Sequence, residues 1–152
     1  MLSWKGFQKA FEYINLIEQG MVCTLSLSAL TVLFGFILAL FLAICRLSNF
    51  KPAKYLATVY VEVIRATPML VQLFIVYNIL LAGVSLPRFK LFGFIRFERF
   101  LPGVIALSLN SGAYLCEIIR SGIQSIDLGQ TEAARSLGMT QWQNMQLIVL
   151  PQ

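Results

Sequence analysis

The sequence predicts an all-α integral membrane protein, and two observations support this fold class. Hydrophobic residues make up 58% of the chain and charged residues only 12%, whereas soluble domains carry about 25% charged residues. Three long, strongly apolar stretches contain no charged residue, namely residues 19–45, 66–87 and 100–116. A helix needs about 20 apolar residues to cross the hydrocarbon core, so the first two stretches suffice and the third is marginal in length but strongly apolar. Uncharged runs of this length argue against buried helices of a soluble core.

These runs place three transmembrane helices at about residues 21–45, 68–84 and 101–119. Before them, residues 1–18 mix aromatic and aliphatic side chains with lysines and glutamates, which is typical of an amphipathic helix at the membrane surface. The segment between the first two spans has a helical pattern but contains Glu62 and Arg65, which favours an interfacial position. Thr67 is expected to cap the second span, with Pro68 as its first helical residue.

The link between the second and third spans, residues 85–100, is both basic and aromatic. Aromatic side chains among basic ones can bind single-stranded nucleic acid. Between two membrane spans, however, the same composition favours an interfacial belt that contacts lipid headgroups. We therefore expect membrane lipid, and no nucleic acid, as the partner of this link.

The composition also bears on chemistry. The chain has no histidine, so the usual general base and the commonest metal ligand are absent. Its three cysteines, Cys23, Cys45 and Cys116, lie in apolar runs and lack a CxxC spacing. We interpret them as packing residues and expect neither a disulfide nor a metal site.

Two short stretches repeat one charged pattern, "EVIRA" at residues 62–66 and "EIIRS" at residues 117–121. Each places a glutamate three residues before an arginine, so that Glu62 can pair with Arg65 and Glu117 with Arg120 on one helix face. Because the chain crosses the membrane and returns between them, both pairs must lie on the same side. They are candidates for a charged gate at the mouth of a pathway, since charges at such depth usually face partners or water. Interfacial anchoring by two unrelated pairs is an equally good interpretation.

After Ser121 the chain becomes polar, and its pattern predicts a helix, a glycine corner and a second helix. Residues 130–137 are helix-forming by propensity, and Gly138 fits the position where a left-handed residue ends a helix. Thr140 and Gln143 have the spacing of a capping box for the second helix.

The first of these helices is expected to expose a smooth surface of Ala133 and Ala134, flanked by Glu132 and Arg135. Such a surface can enter a groove on another protein. From the residues alone, an ordinary helical hairpin packed on the chain's own spans is equally possible.

The spacing of these residues resembles the EAA motif of the permease subunits of bacterial ATP-binding-cassette (ABC) importers. The motif comprises Glu132-Ala133-Ala134, Gly138 six residues after Glu132, Ile148, and Leu150-Pro151. Other stretches resemble the branch of that family that imports polar amino acids: "TLSLS" (24–28), "RATPMLVQLF" (65–74), "LNSGAYLCEIIRSGIQSI" (109–126) and "GQTEAARSLGM" (129–139). One departure is Ala66, where members of that branch commonly have glycine.

The resemblance implies a part of a larger permease fold of about five spans, so that residues 1–152 would form a single, C-terminally truncated permease domain. Its cytoplasmic coupling region would occupy about residues 121–152. The implied function is translocation of a polar amino acid across the bacterial inner membrane, with no enzymatic activity and no cofactor in this subunit. The implied partners are an ABC ATPase, a second permease subunit that is identical or paralogous, and a periplasmic amino-acid-binding protein. A truncated, non-transporting scaffold that still binds the ATPase is the alternative.

The basic residues divide evenly between the two sides of the membrane, so the positive-inside rule does not settle the orientation. The resemblance does, because it implies a cytoplasmic C-terminal segment and therefore, with three spans, an N-terminus outside. It assigns ATPase coupling to Glu132, Ala133, Ala134, Arg135 and Gly138. Polar residues within the spans are candidates for the substrate path, with hydrogen bonding between helices as the alternative role of each; they are Gln72, Asn110 and Ser111.

Overall fold

The computed structural model describes residues 13–152, and this part of the chain is mostly helical. The helices are α1 (Ile14–Leu47), α2 (Lys51–Ala66), α3 (Met69–Gly83), α4 (Phe97–Gln124), α5 (Leu128–Ser136) and α6 (Gln141–Asn144). A hairpin of β1 (Lys90–Leu91) and β2 (Ile95–Arg96) separates α3 from α4, and a π-helical turn, Met145–Val149, follows α6. The predicted all-α membrane fold is confirmed.

Two helices in the described part of the chain, α1 and α4, are each long and apolar enough to cross a membrane. The pair α2 and α3 qualifies as a third crossing if it is counted as one broken span, because the chain bends by 109° between Lys51–Ala66 and Met69–Leu80. The predicted spans 21–45 and 101–119 therefore lie inside longer helices, whereas 68–84 closely matches α3.

The predicted amphipathic helix over residues 1–18 overlaps the described part of the chain only from residue 13 onward. Residues 1–12 lie outside the described part of the chain, and from Ile14 onward the chain already belongs to α1. The expected separation between the amphipathic helix and the first span at about residue 21 is wrong, because α1 runs without a break through this point, Gly20 included. A glycine inside a helix costs only about 1 kcal/mol relative to alanine, which is too little to interrupt a helix of this length.

Pro68 produces the break between α2 and α3. A proline disfavours the helical conformation in the residue before it, and Thr67 is accordingly extended, with φ −102° and ψ 139°. The predicted cap is wrong by one residue, since Pro68 itself occupies the N-cap position and α3 begins at Met69. The Thr67 hydroxyl instead donates back to the carbonyl of Val63, at 3.0 Å.

The core of the bundle forms where α1 and α4 approach each other closely. Small residues permit this approach, as expected for helices that pack in a membrane. A Cβ atom at Gly112 of α4 would lie 2.8 Å from Cδ2 and 3.0 Å from Cγ of Leu38 on α1. Beside this contact, a buried cluster joins α1, α2 and α4; it consists of Ala39, Leu42, Ala43, Ala57, Val61, Ala113 and Cys116.

We expect Gly112→Ala to lower the stability of the bundle by about 1–3 kcal/mol, the usual cost of overpacking a tight contact. Gly103→Ala is the matched control on the same helix, because its Cβ would meet only Leu27 Cδ1 at 3.5 Å and the Tyr77 hydroxyl at 3.6 Å. Thermal unfolding in detergent, followed by circular dichroism, measures both variants. Equal midpoints for the two would contradict the close approach at Gly112.

The basic aromatic link folds into the β1–β2 hairpin, with Lys90 opposite Arg96 and Leu91 opposite Ile95. Its turn places Phe92 and Gly93 at positive φ, 51° and 78°. The Asn-Gly or Asp-Gly pair that usually marks such a turn is absent, so sequence patterning does not predict this hairpin.

Candidate functional site

A cluster of four charged side chains centres on Glu117 in α4. One carboxylate oxygen of Glu117 accepts a hydrogen bond from Nη1 of Arg46, at the end of α1, and lies 3.6 Å from Nη1 of Arg65, at the end of α2. The other oxygen lies 3.0 Å from Nη1 of Arg120. One carboxylate thus joins the ends of two helices to a third.

The Glu117 cluster carries more positive than negative charge, because three guanidinium groups share one carboxylate. The side chain of Arg46 is only 8% exposed, and its Nε has no hydrogen-bond partner among residues 13–152. The Arg65 guanidinium also lies over the ring of Tyr114, 5.6 Å from the centroid, where the ring face attracts a cation. Because it carries a net positive charge, the Glu117 cluster can attract an anion or repel a cation.

The structure brings together three of the four predicted gate residues, namely Arg65, Glu117 and Arg120. The predicted pairing of Glu62 with Arg65 is wrong, since Glu62 is exposed and makes none of the ion pairs found within residues 13–152. A partly buried carboxylate attracts a cation more strongly than an exposed one, because water screens it less, and this explains why Arg65 turns toward Glu117.

The sequence analysis did not single out Arg46, which directly follows the uncharged run of residues 19–45. The signal was available, because Arg46 ends a span on the side where both glutamate–arginine patterns must lie. The burial of this arginine could not be predicted, because it depends on the packing of α1 against α4.

A second polar group surrounds Gln72, at the break between α2 and α3. The Gln72 side-chain nitrogen donates to the carbonyls of Ile64 (2.6 Å) and Thr67 (3.0 Å) and to the Thr67 hydroxyl (2.8 Å). Its oxygen accepts from Nδ2 of Asn110 on α4, at 3.1 Å. These contacts support the alternative considered for both residues, hydrogen bonding between helices.

Ser111, the remaining substrate-path candidate, does not join Gln72 and Asn110. It lies where α4 faces α1, so that a Cβ atom added at Gly35 would come within 3.1 Å of the Ser111 Cβ. Its small size accords with close packing of the two helices.

Helix α5 forms the predicted helix before the glycine corner, with slightly different bounds. It begins after Asp127, whose side chain accepts a hydrogen bond from the Gly129 nitrogen at 2.7 Å. It ends at Ser136, and Gly138 follows with φ +81°, the left-handed conformation expected there. The polar segment predicted to begin at about residue 121 begins later, because α4 continues to Gln124.

Only one of the two alanines of α5 is exposed to solvent, and this corrects the expected Ala133–Ala134 surface. Ala133 is exposed, together with Glu132 and Arg135, whereas Ala134 is buried to 1% exposure. Consecutive helical residues are rotated by about 100°, which is enough to place Ala134 on the packed side of α5 while Ala133 stays on the exposed side. Of the two alanines, only Ala133 therefore lies on the exposed face of α5.

The segment behind α5 holds it in place. The predicted capping box is confirmed, with the Thr140 hydroxyl accepting from the Gln143 nitrogen and the Gln143 side chain accepting from the Thr140 nitrogen. In addition, Nδ2 of Asn144 donates to the hydroxyl of Thr131 in α5, at 3.2 Å. Exposed apolar side chains border this unit, a feature typical of binding surfaces; they include Leu128, Leu137 and Trp142.

The described residues contain no cluster of three or more histidine, cysteine, aspartate or glutamate side chains that could hold a metal ion. The interpretation of the three cysteines as packing residues is confirmed by their positions. Cys116 lies in the buried cluster of α1, α2 and α4 and Cys45 packs against it, while Cys23 packs against a second cluster of Ile95, Phe100 and Val104.

Comparison with known proteins identifies the family of this chain. Residues 21–152 match the model of the family described as "Binding-protein-dependent transport system inner membrane component". The chain belongs to that family. As a binding-protein-dependent permease, it is 40% identical over 146 residues to the arginine transport system permease protein ArtQ of Bacillus subtilis, covering 96% of this chain and 63% of that protein. It is also 40% identical over 155 residues to the glutamate/aspartate import permease protein GltK of Escherichia coli, covering 98% and 64%.

A solved structure extends the likeness from sequence to fold. The crystal structure of an amino acid ABC transporter with histidines superimposes on this permease with a TM-score of 0.82 and 44% sequence identity, over 96% of this chain and 64% of that chain. The permease therefore spans less than two thirds of the length of the relatives it matches.

Proposed function

We propose that this protein is the membrane-spanning subunit of an ABC importer that carries a polar amino acid across the bacterial inner membrane, and that a separate ATPase subunit supplies the energy. The observation that carries the proposal is the geometry of α5. This helix presents Glu132, Ala133 and Arg135 to solvent, and the left-handed Gly138 fixes the corner behind it. The chain itself needs no catalytic group for this role.

The mechanical part of the proposal follows from how α5 is held. The capping box at Thr140 and the hydrogen bond from Asn144 to Thr131 connect α5 to the segment that follows it. A push on the exposed face of α5 is therefore passed to its neighbours rather than absorbed by a flexible loop. Closure of the ATPases would move α5 and, through α4, shift the spans between outward-facing and inward-facing states.

The proposed orientation places α5 in the cytoplasm. Since α4 leads into α5, the Glu117 cluster lies toward the same side, and the β1–β2 hairpin at the opposite end of α4 faces the periplasm. The hairpin and its basic residues are then available to a periplasmic amino-acid-binding protein and to lipid headgroups.

The Glu117 cluster is proposed as the gate on the cytoplasmic side, with Arg46 in the place first assigned to Glu62. Its ion pairs connect α1, α2 and α4, so any motion that separates these helices must break or exchange them. Such a cluster can hold the inner end of a pathway closed until the helices are driven apart.

The names of the relatives bear on the substrate class. ArtQ is named for arginine and GltK for glutamate and aspartate, whose side chains carry opposite charges. What these substrates share is the α-amino and α-carboxylate groups. We therefore propose a polar amino acid as the substrate class. Because the fold neighbour is an amino acid ABC transporter, we also propose a second permease subunit as a partner.

A crosslinking experiment tests the coupling role. With Ala133→Cys in the membrane-embedded complex, we expect a disulfide to form with a cysteine in the groove of the ATPase. Ala134→Cys is the matched control, because its neighbouring position is buried and should crosslink poorly. Labelling of the cysteine at position 133 by a membrane-impermeant reagent from the periplasm would overturn the proposed orientation.

Uptake in proteoliposomes tests transport itself. The permease assembled with its ATPase and binding protein should accumulate a radiolabelled polar amino acid when ATP is present. Crosslinking at position 133 without ATP-driven uptake would instead support a membrane component that binds the ATPase but forms no path.

A further inference from the structure

The break between α2 and α3 poses a local problem in hydrogen bonding. The last carbonyl groups of a helix lack partners within the helix, and the hydrocarbon region offers no water to satisfy them. Pro68 removes one donor that a continuous helix would supply. Nevertheless the carbonyls of Ile64 and Thr67 are both paired. The Ile64 carbonyl accepts from the backbone nitrogen and the hydroxyl of Thr67 and, at 2.6 Å, from the side-chain nitrogen of Gln72 in the first turn of α3. The Thr67 carbonyl accepts from the same Gln72 nitrogen.

The Gln72 amide is fully engaged in this position. Its nitrogen is shared among three acceptors at the end of α2, and its oxygen accepts from Asn110 of α4. The side chain is buried, with 8% exposure. A substrate could bind this amide only by displacing hydrogen bonds that the break itself requires.

The end of α2 is fastened to one face of α4 at three levels. Asn110, Tyr114 and Glu117 are spaced by four and three residues, so they lie along one stripe of α4. Asn110 contacts Gln72, while Tyr114 and Glu117 contact Arg65, at 5.6 Å to the ring centroid and 3.6 Å to the carboxylate. Arg65 lies in the last turn of α2, next to Ile64, and the carbonyl of Ile64 accepts a hydrogen bond from Gln72.

From this arrangement we infer that Gln72 and Asn110 are positioning residues. They clamp the broken span to α4 and thereby hold Arg65 against Glu117, and they do not contact the substrate. The pair α2 and α3 then moves together with α4 as one rigid body. A force applied to α5 is therefore transmitted through α4 to α2 and α3. Only this last consequence, the transmission of force, rests on the proposed transport function.

Distance measurements between spin labels test the clamp in the full-length, purified protein. Labels would be placed by cysteine substitution at Tyr55 on α2 and Ile118 on α4, which are 70% and 64% exposed, after replacement of the three native cysteines. With Gln72 intact we expect a narrow distance distribution. Gln72→Met, which keeps the side-chain length but has no amide, should shift and broaden it, and Asn110→Ala should broaden it less.

The matched control is Asn78→Ala. Asn78 lies on α3 and is exposed, and its side chain donates only to the carbonyl of Phe74 in the same helix, at 2.7 Å. It should therefore leave the distribution unchanged. Asn110→Ala serves as the second variant should Gln72→Met fail to fold, since it leaves the carbonyls of the break paired.

Unchanged, narrow distributions in both Gln72→Met and Asn110→Ala would overturn the clamp. If amino acid uptake were lost at the same time, Gln72 would belong to the substrate path. These distances are measured without ATPase or substrate, so failure of the crosslink at position 133 would count against the proposed function and not against the clamp.

Discussion

Replacing Glu117 by glutamine is expected to lower the stability of the bundle by about 3 kcal/mol, because removing one partner of a buried ion pair leaves an uncompensated charge. Most of this loss should come from Arg46, whose side chain is 8% exposed. Arg65 and Arg120 are 41% and 30% exposed, so water can solvate them, and such pairs contribute at most about 1 kcal/mol each.

The control for this variant is Glu98→Gln. Glu98 also faces an arginine, Arg96, at 3.7 Å, but that arginine is 56% exposed. We expect a change below about 1 kcal/mol for this exposed pair. Unfolding in detergent measures both variants, and a loss at Glu117 no larger than that at Glu98 would refute the structural importance of the cluster.

The same variant bears on the gate. In the assembled importer, Glu117→Gln and Arg65→Ala should each alter amino acid uptake and raise ATP hydrolysis in the absence of substrate, because the helices are no longer held together at the inner end. If uptake and basal ATP hydrolysis both remained at the level of the unmodified protein, the gate proposal should be abandoned.

Replacing Gly138 by alanine should uncouple the ATPase from the spans at little cost to overall folding. The residue has φ +81°, and a Cβ atom there would meet no neighbour within 4 Å, so the penalty is conformational rather than steric. A left-handed conformation costs a residue with a Cβ about 1–2 kcal/mol. Relief of this strain changes the angle between α5 and α6, and we expect ATP hydrolysis to continue with reduced uptake.

Gly122→Ala provides the comparison. Its Cβ would also meet nothing within 4 Å, but Gly122 lies inside α4 and its φ is not positive. Alanine at such a position stabilises a helix by roughly 0.5–1 kcal/mol, so uptake per ATP hydrolysed should be unchanged. A similar loss of coupling in both variants would show that the corner at Gly138 is not what matters.

Local patterns made much of this structure predictable. The uncharged runs locate α1, α3 and α4, and the spacing of Thr140 and Gln143 gives the capping box, because these features depend on residues close together in the chain. The corner at Gly138 was predictable for the same reason, since the need for a left-handed residue at the end of a helix is local.

The rest depends on packing between distant residues. Arg46 and Glu117 are 71 positions apart, and only the contact between α1 and α4 makes them partners. Glu62 shows the converse. Its spacing from Arg65 permits an ion pair within α2, but Arg65 contacts Glu117 of α4 instead. The sequence also could not show which of Ala133 and Ala134 is buried. The buried side of α5 is determined by its packing against the segment that follows it.

The distance in sequence between Arg46 and Glu117 also has a consequence for biosynthesis. The ribosome completes α1, α2 and α3 before it makes the only carboxylate that Arg46 and Arg65 contact in the described part of the chain. A charged side chain within a bilayer costs about 2.5–3.5 kcal/mol by insertion scales, so these two arginines must remain near the headgroups until α4 enters the membrane. The final packing of α1, α2 and α3 therefore waits for α4. We expect newly made chains that stop before Glu117 to pack incompletely and to be degraded faster by membrane proteases.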